Sequence, residues 1–424
     1  MQNPGCISMA KPSDKASHLP RLRPKEKQGD RRTTWTELLN DLVFTVIIGQ
    51  LAQRLQKDMT GSAFGQFLLL YVPIWWLWNG ETHYSTRFDN ERDVIHRLLV
   101  SLQLVGLIVL AASIPNALES GSKTYALTYA TVRIILLIEY ARAWYYVPEA
   151  RPYIRHIATG FGISVLLWIG SVFVSIPYRY VLWGIGLLIE LTTPLTPTGG
   201  QLHRQFPPDV RHLPERYGLF TLLVLGQSVT GTTQGLISSG LAFIPLLTAV
   251  LGGIVIIGLW WAYFDRLDDD AVRQVSEGGT ARLYAAWLYL HLPLTVALTL
   301  IGVGLSYVIQ ASAQADLTAS ARWLLVGSVT AYLLTEAGIS LTTLKAGPPH
   351  ASFIRGMSVR GGVAIILLVV GLFWPFNAVW LMGFTATLIV GLILSDYFAP
   401  EPPGSEERIN QEADTGGVES DAER

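Results

Sequence analysis

Apolar stretches of about twenty residues recur along the chain, separated by short polar segments. A helix rises about 1.5 Å per residue, so roughly twenty mostly apolar residues suffice to cross a hydrocarbon core. Twelve stretches are read this way: 35–55, 64–84, 96–116, 125–146, 156–176, 179–196, 215–234, 241–264, 285–308, 321–344, 360–375 and 377–398. They predict an all-α polytopic membrane protein with about 12 transmembrane helices, the sixth and eleventh being the shortest.

Basic residues test this count, because Lys and Arg concentrate in cytoplasmic loops. With the N-terminus inside, the inner segments hold Arg87, Arg92 and Arg97, then Arg142, Arg151 and Arg155, then Arg204, Arg211 and Arg216. Further along they hold Arg266, Arg273 and Arg282, then Lys345, Arg355 and Arg360. The outer side receives only Arg54, Lys57, Lys123, Arg179 and Arg322. The alternation places both termini in the cytoplasm.

Composition agrees: 50% of residues are hydrophobic, 15% are charged and the mean hydropathy is +0.37, against about a quarter charged in soluble domains. A formal net charge of -1 gives no reason to expect a nucleic-acid partner. Cys6 is the one cysteine, so neither an internal disulfide nor a thiolate metal site is available. Residues 1–33 form a basic tail with no apolar core of a signal peptide. Arg31 and Arg32 raise the reading of a twin-arginine export signal, but the helix after them carries Glu37 and Asp41, and further spans follow. Residues 399–424 are polar and acidic and read as a disordered tail.

The two halves echo each other. Phe44 to Gln50 reads FTVIIGQ and Phe220 to Gln227 reads FTLLVLGQ. Trp75-Trp76 is matched by Trp260-Trp261, His96 by His291 and Glu139 by Glu336, in the same order. The pattern suggests a 6+6 duplication, with repeats at 34–197 and 215–398 joined by a cytoplasmic linker at 198–214. Six is even, so the repeats share orientation and are parallel. Shared membrane-helix composition is the competing explanation.

Ionisable residues within a bilayer usually face a bundle interior or a wet cavity. Glu37 and Asp41 lie four apart on one helix face. Glu139 and Arg142 are three apart and can pair, with Arg133 nearer mid-membrane. Glu190 and Glu336 stand near cytoplasmic exits, and His291 enters its span just before Pro293. Glu215 and Arg216 point about 100° apart on a helix, so each can reach a different neighbour: Arg216 toward Glu37 or Asp41, and Glu215 toward Arg142. Gln227 and Ser228 lie about three turns deeper and suit cross-helix hydrogen bonds or neutral ligand contacts. Plainer readings stand beside these. Glu37 and Arg216 can cap helix ends, Glu139 can hold a static salt bridge, His291 can be a helix–helix contact, Gln227 can be packing glue, and the Trp pairs can mark an interfacial belt. The substrate- or proton-pathway candidates are thus Asp41, Glu37, Glu139, Arg142, Glu215, Arg216, Gln227, His291 and Glu336, a polar vestibule in the cytoplasmic half. No P-loop, HExxH or GxSxG pattern occurs. Asp268-Asp269-Asp270 lacks the spacing of a calcium loop. No catalytic residue, metal or cofactor is expected.

HLPERYGLFTLLVLGQSV (His212 to Val229), ELLNDLVFTVIIGQL (Glu37 to Leu51) and the WW…RFD stretch together resemble the bacterial low temperature requirement A (LtrA) family, over roughly residues 35–398. The sequence departs from the family pattern at Leu39-Asn40, where a Phe-Tyr pair is usual, and at Gln227, where Glu is usual. The resemblance implies a multi-pass protein of the bacterial inner membrane, named for a cold-growth phenotype, and supplies no substrate.

With the apparent duplication, this favours a secondary transporter, proton-coupled through its carboxylates, working on an unidentified small solute. The alternative is a membrane-embedded lipid-modifying enzyme, or a channel or assembly protein supporting growth in the cold. The expected partners are the lipid bilayer and that solute or ion, with no nucleic acid.

Overall fold

The computed structural model describes residues 19–22, 33–88, 93–265, 272–274, 281–314, 317–344, 351–373 and 377–398. Cys6, the acidic tail and the Asp268 to Asp270 run lie outside the described residues, as does most of the basic tail. Among the described residues the chain is helical throughout, without strands. The helices of the first part are α1 (Trp35–Lys57), α2 (Gly61–Phe88), α3 (Val94–Ser113), α4 (Ser122–Tyr146), α5 (Arg151–Ser171), α6 (Tyr178–Thr192) and α7 (Pro197–Gln205). They are followed by α8 (His212–Ser238), α9 (Phe243–Phe264), α10 (Ala281–Gln314), α11 (Ala319–Thr342), α12 (Ala351–Phe373) and α13 (Ala378–Tyr397).

A helix occupies each of the twelve expected stretches, and seven are long and apolar enough to cross a membrane by length and composition: α3, α5 and α9 to α13. Their outward faces are apolar. On α3, Leu98, Leu102, Val105 and Ile108 are all exposed at helical spacing. Surfaces of that kind suit hydrocarbon rather than water.

Two helices occupy the interior. On α2 every residue from Pro73 to Phe88 is buried, which marks a helix enclosed on all sides. On α10 the most apolar window is 83% buried. This helix runs for 34 residues, and it packs on α8, α9 and α11 as well as on α1, α2 and α7.

Small residues set the closest approach. Gly231 and Gly235 of α8 lie against Gly302 and Ser306 of α10, and a Cβ built on Gly231 would run into the Gly302 backbone. Without a hydrophobic drive between helices in lipid, such contacts let backbones gain dispersion energy.

Three details depart from the sequence reading. The segment 198–214, expected as a linker, contains α7, whose start is capped by Thr196 accepting from Gly199 N. The eleventh stretch, expected at 360–375, begins at Ala351, so Arg360 is an interior helix residue with no exposure rather than a loop charge. Trp75 and Trp76 are core residues instead of an interfacial belt, packed among the aromatics of α2, α8 and α10. Their counterparts Trp260 and Trp261 do face outward, each 43% exposed.

Gly231→Ala should lower the stability of the detergent-solubilised protein by about 1–3 kcal/mol through overpacking. Gly226→Ala, whose added Cβ meets open space, should be neutral or slightly stabilising. Thermal unfolding of the two variants side by side checks the contrast.

Candidate functional site

Helix α1 starts where its sequence says it should. Thr34 and Glu37 form a reciprocal capping box, with Glu37 Oε2 accepting from Thr34 N at 2.8 Å and Thr34 Oγ1 accepting from Glu37 N at 3.3 Å. The cap fixes the Glu37 carboxylate at the mouth of the helix and leaves Oε1 for other partners. One turn on, Asp41 is fully buried.

Helix α8 is set opposite by a different device. Asp209, after two prolines, accepts from Arg211 N at 3.1 Å and His212 N at 3.0 Å through Oδ1, while its own N–H donates to Thr86 O. His212 and Arg216 then lie one turn apart on the same face. Arg216 reaches across to both acids of α1: Nη2 donates to Asp41 Oδ1 at 2.5 Å, and Nη1 lies 3.0 Å from Glu37 Oε1. His212 Nε2 stands 3.0 Å from the same Glu37 oxygen.

Helix α2 closes the cluster. Trp78 Nε1 donates to Asp41 Oδ1 at 2.8 Å, and its ring stacks on Phe220 at 4.0 Å between centroids. Glu81, buried on the same helix, adds to the negative field at Arg216. Asp41, His212 and Arg216 have no exposure. Among the described residues, Asp41 Oδ2, His212 Nδ1 and Arg216 Nε make no hydrogen bond. One carboxylate, one guanidinium and one imidazole are thus held out of contact with solvent, with donor and acceptor capacity unused, and the second carboxylate, Glu37, sits at their edge.

A second polar station lies further along α2. Asn79 Nδ2 donates to Tyr217 OH at 2.6 Å, and His83 lies between Asn79 O at 2.9 Å and Tyr284 OH at 2.7 Å. Arg87 donates to the carbonyls of Phe206 and His83 and to His203 Nδ1 at 3.0 Å, and lies over the Tyr153 ring at 5.0 Å. Burial, reinforced by Arg87, keeps the His203 pKa well below its ordinary value, so a neutral imidazole accepts the guanidinium proton. Asn79, His83 and His203 line a small cavity between α2, α5 and α10 with a volume of about 30 Å³.

The remaining candidates divide among separate clusters. Glu139 does not pair with Arg142: it meets His96 Nδ1 of α3 at 2.7 Å, while Arg142 Nη2 donates to Asp93 at 2.8 Å. Nor does Glu215 reach Arg142. Its half-exposed carboxylate accepts from Thr33 N at 3.3 Å and lies 3.9 Å from His212 Nδ1. Glu336 pairs with Arg360, whose other amine donates to Asp396 at 2.8 Å. His291 Nε2 meets Tyr263 OH at 3.0 Å. Gln227 Nε2 donates to Thr45 O at 3.3 Å, with its amide oxygen against Gly49, so it ties α8 to α1. Deeper still, Arg133 Nη2 donates to Glu190 at 2.6 Å.

The structure therefore brings together Glu37, Asp41, Arg216 and, at the rim, Glu215. It leaves Glu139, Arg142, His291 and Glu336 in clusters of their own. His212, Trp78 and Asp93 were not singled out as site residues. Asp93 had a legible signal, as an N-cap acid before an apolar run; its Oδ1 accepts from Ile95 N and His96 N. His212 also had one, four residues before Arg216.

A family model described as bacterial low temperature requirement A protein (LtrA) matches residues 32–399. An uncharacterized protein of Rhizobium meliloti (strain 1021), RA0937, is 27% identical over 300 residues, 66% of this chain and 70% of the relative. No solved structure matches.

Removing one partner of a buried pair leaves an uncompensated charge, at a cost of about 3–5 kcal/mol. Arg216→Met should therefore destabilise the folded protein by that order. Adding Asp41→Asn to it should restore a large part of the loss, which a double-mutant cycle on thermal unfolding measures.

Proposed function

Because the chain belongs to the bacterial low temperature requirement A (LtrA) family, and because a titratable ion cluster joins two of its helices, we propose that it is a proton-coupled secondary transporter. Its solute is a small molecule or ion whose identity is open. The observation that carries this reading is the composition of the α1–α8 cluster: two acids face one guanidinium, and an imidazole sits beside them. One proton taken up there changes the local charge balance in a low-dielectric setting, where each charge interacts strongly with its neighbours. Charge neutralisation at that seam weakens the hold between α1 and α8 and lets them part. Intramembrane acid and histidine groups serve such relays in pumps and transporters.

The proposal carries a topology. The five helices other than the seven apolar ones and α7, namely α1, α2, α4, α6 and α8, also cross, giving twelve spans with both termini in the cytoplasm of a bacterial inner-membrane protein. Residues 34–197 and 215–398 are taken as parallel repeats, with α1 and α8 as their first helices. Support comes from the matched order of Phe44 and Phe220, Gln50 and Gln227, and Glu139 and Glu336. The copies have diverged in use. Glu139 is paired through His96 and Glu336 through Arg360, and α3 is a peripheral helix whereas α10 is central. In this frame the ion cluster lies across the junction of the repeats, where parallel-repeat transporters place their sites.

Full-length protein in liposomes loaded with a pH-sensitive dye, under an imposed pH gradient, should show proton uptake that depends on an added solute. Asp41→Asn and His212→Gln should each reduce that uptake tenfold or more while retaining a folded elution profile. Undiminished uptake in both variants, or proton movement indifferent to every solute in a broad panel, would refute the reading.

A further inference from the structure

A recess unrelated to the ion cluster lies on the outside of the bundle, where α5, α6 and α7 meet, with a volume of about 460 Å³. Helix α5 contributes Pro152, Arg155, His156, Thr159, Gly160 and Ile163. Their spacing by threes and fours places them on one stripe.

The recess is graded in polarity along its length. Arg155, His156 and Thr159 line its end near the start of α5, together with Thr196 and Thr198 at the start of α7. Ile163 of α5 and Ile189 of α6 line the other end. Arg155 and Ile163 are separated by eight residues, about 12 Å along the helix. The floor is built rather than incidental. His156 Nε2 is held by Thr193 O at 2.9 Å and Thr196 Oγ1 at 3.1 Å. Gly160 leaves the space that the Thr193 side chain fills. Among the described residues no acidic side chain lines the recess; Glu149, on the turn before α5, is outside it.

A guanidinium and hydroxyls at the helix ends, above an apolar trough between two helices, match a phosphate with an acyl chain attached. We infer that this groove is a binding site for an anionic phospholipid, the phosphate on Arg155 and the Thr198 hydroxyl and one acyl chain along Ile163 and Ile189. Basic pockets between membrane helices favour acidic head groups, and guanidinium–phosphate hydrogen bonds are charge-assisted. A free phosphate would leave the apolar end unused. The inference stands whether or not the protein transports a solute.

The test uses the full chain purified in a neutral detergent, with thermal unfolding and native mass spectrometry as readouts. Phosphatidylglycerol should raise the melting temperature saturably and remain bound in the gas phase. Phosphatidylcholine with the same acyl chains, and inorganic phosphate, should do neither. Arg155→Gln should weaken the apparent affinity for phosphatidylglycerol about fivefold, the factor expected for one basic residue at a lipid surface. Ile163→Trp, which fills the apolar end, should weaken it as well, while Lys123→Gln should match the parent. Arg155 and Lys123 are exposed, so both variants should melt like the parent without lipid. Equal stabilisation by phosphatidylcholine, a shift reproduced by phosphate alone, or parental affinity in both Arg155→Gln and Ile163→Trp would overturn the assignment.

Discussion

A guanidinium withdrawn from water loses solvation worth several kcal/mol, and counter-charges in contact are what restore it. Arg216 meets that condition with two acids from another helix, and in doing so fixes how α8 sits against α1: the register that serves Asp41 and Glu37 together is the one observed. The same rule recurs at Arg133 with Glu190, Arg142 with Asp93, and Arg360 with Glu336 and Asp396. Arg87 satisfies it differently, through two carbonyls, a neutral imidazole and an aromatic face. Each pairing joins separate elements, so the buried charges act as addresses that tell helices which neighbour to take and at what height. Hydrophobic surface alone, being similar on every helix, carries little of that information.

The distribution of polarity follows. Helices with mostly apolar outer faces, α3, α9 and α12 among them, surround others that carry ions inward. Helix α2 is the extreme case: three tryptophans and seven polar residues are packed into its enclosed half, and Trp78, Asn79, His83 and Arg87 find partners on α1, α8, α10 and α7. A helix of that composition is stable only if its neighbours arrive in the right order, because an unmet polar group costs more in a dry interior than a met one contributes.

Helix positions were legible in the sequence because apolar length is a local property. The link between Arg216 and the acids of α1 was legible for a related reason: Glu37 and Asp41 stack on one face, and few cations are available to serve them. Pairings inside the first six helices were not. Glu139 and Arg142 satisfy the i,i+3 rule on α4, yet each prefers α3, and that choice depends on inter-helix register, which no single stretch encodes. Trp75 and Trp76 misled for a similar reason, since a tryptophan near a helix end reads as interfacial until neighbouring helices are seen to cover it. Arg360 was placed in a loop because Arg355, Gly356 and Ser358 lower the local hydropathy and hide the first turns of α12. His212 carries its signal in the four-residue spacing to Arg216, which puts both on one helix face, and not in any metal-ligand pattern.

The length of α10 has a mechanical consequence. Its 34 residues make a rod of about 51 Å, while the hydrocarbon slab is about 30 Å thick. Even leaning by 40°, the upper end of what membrane helices show, it would extend past the hydrocarbon by about 9 Å. The helix most deeply engaged with its neighbours thus also reaches the head-group layer, so the same rigid element that is packed at its middle ends among polar lipid groups.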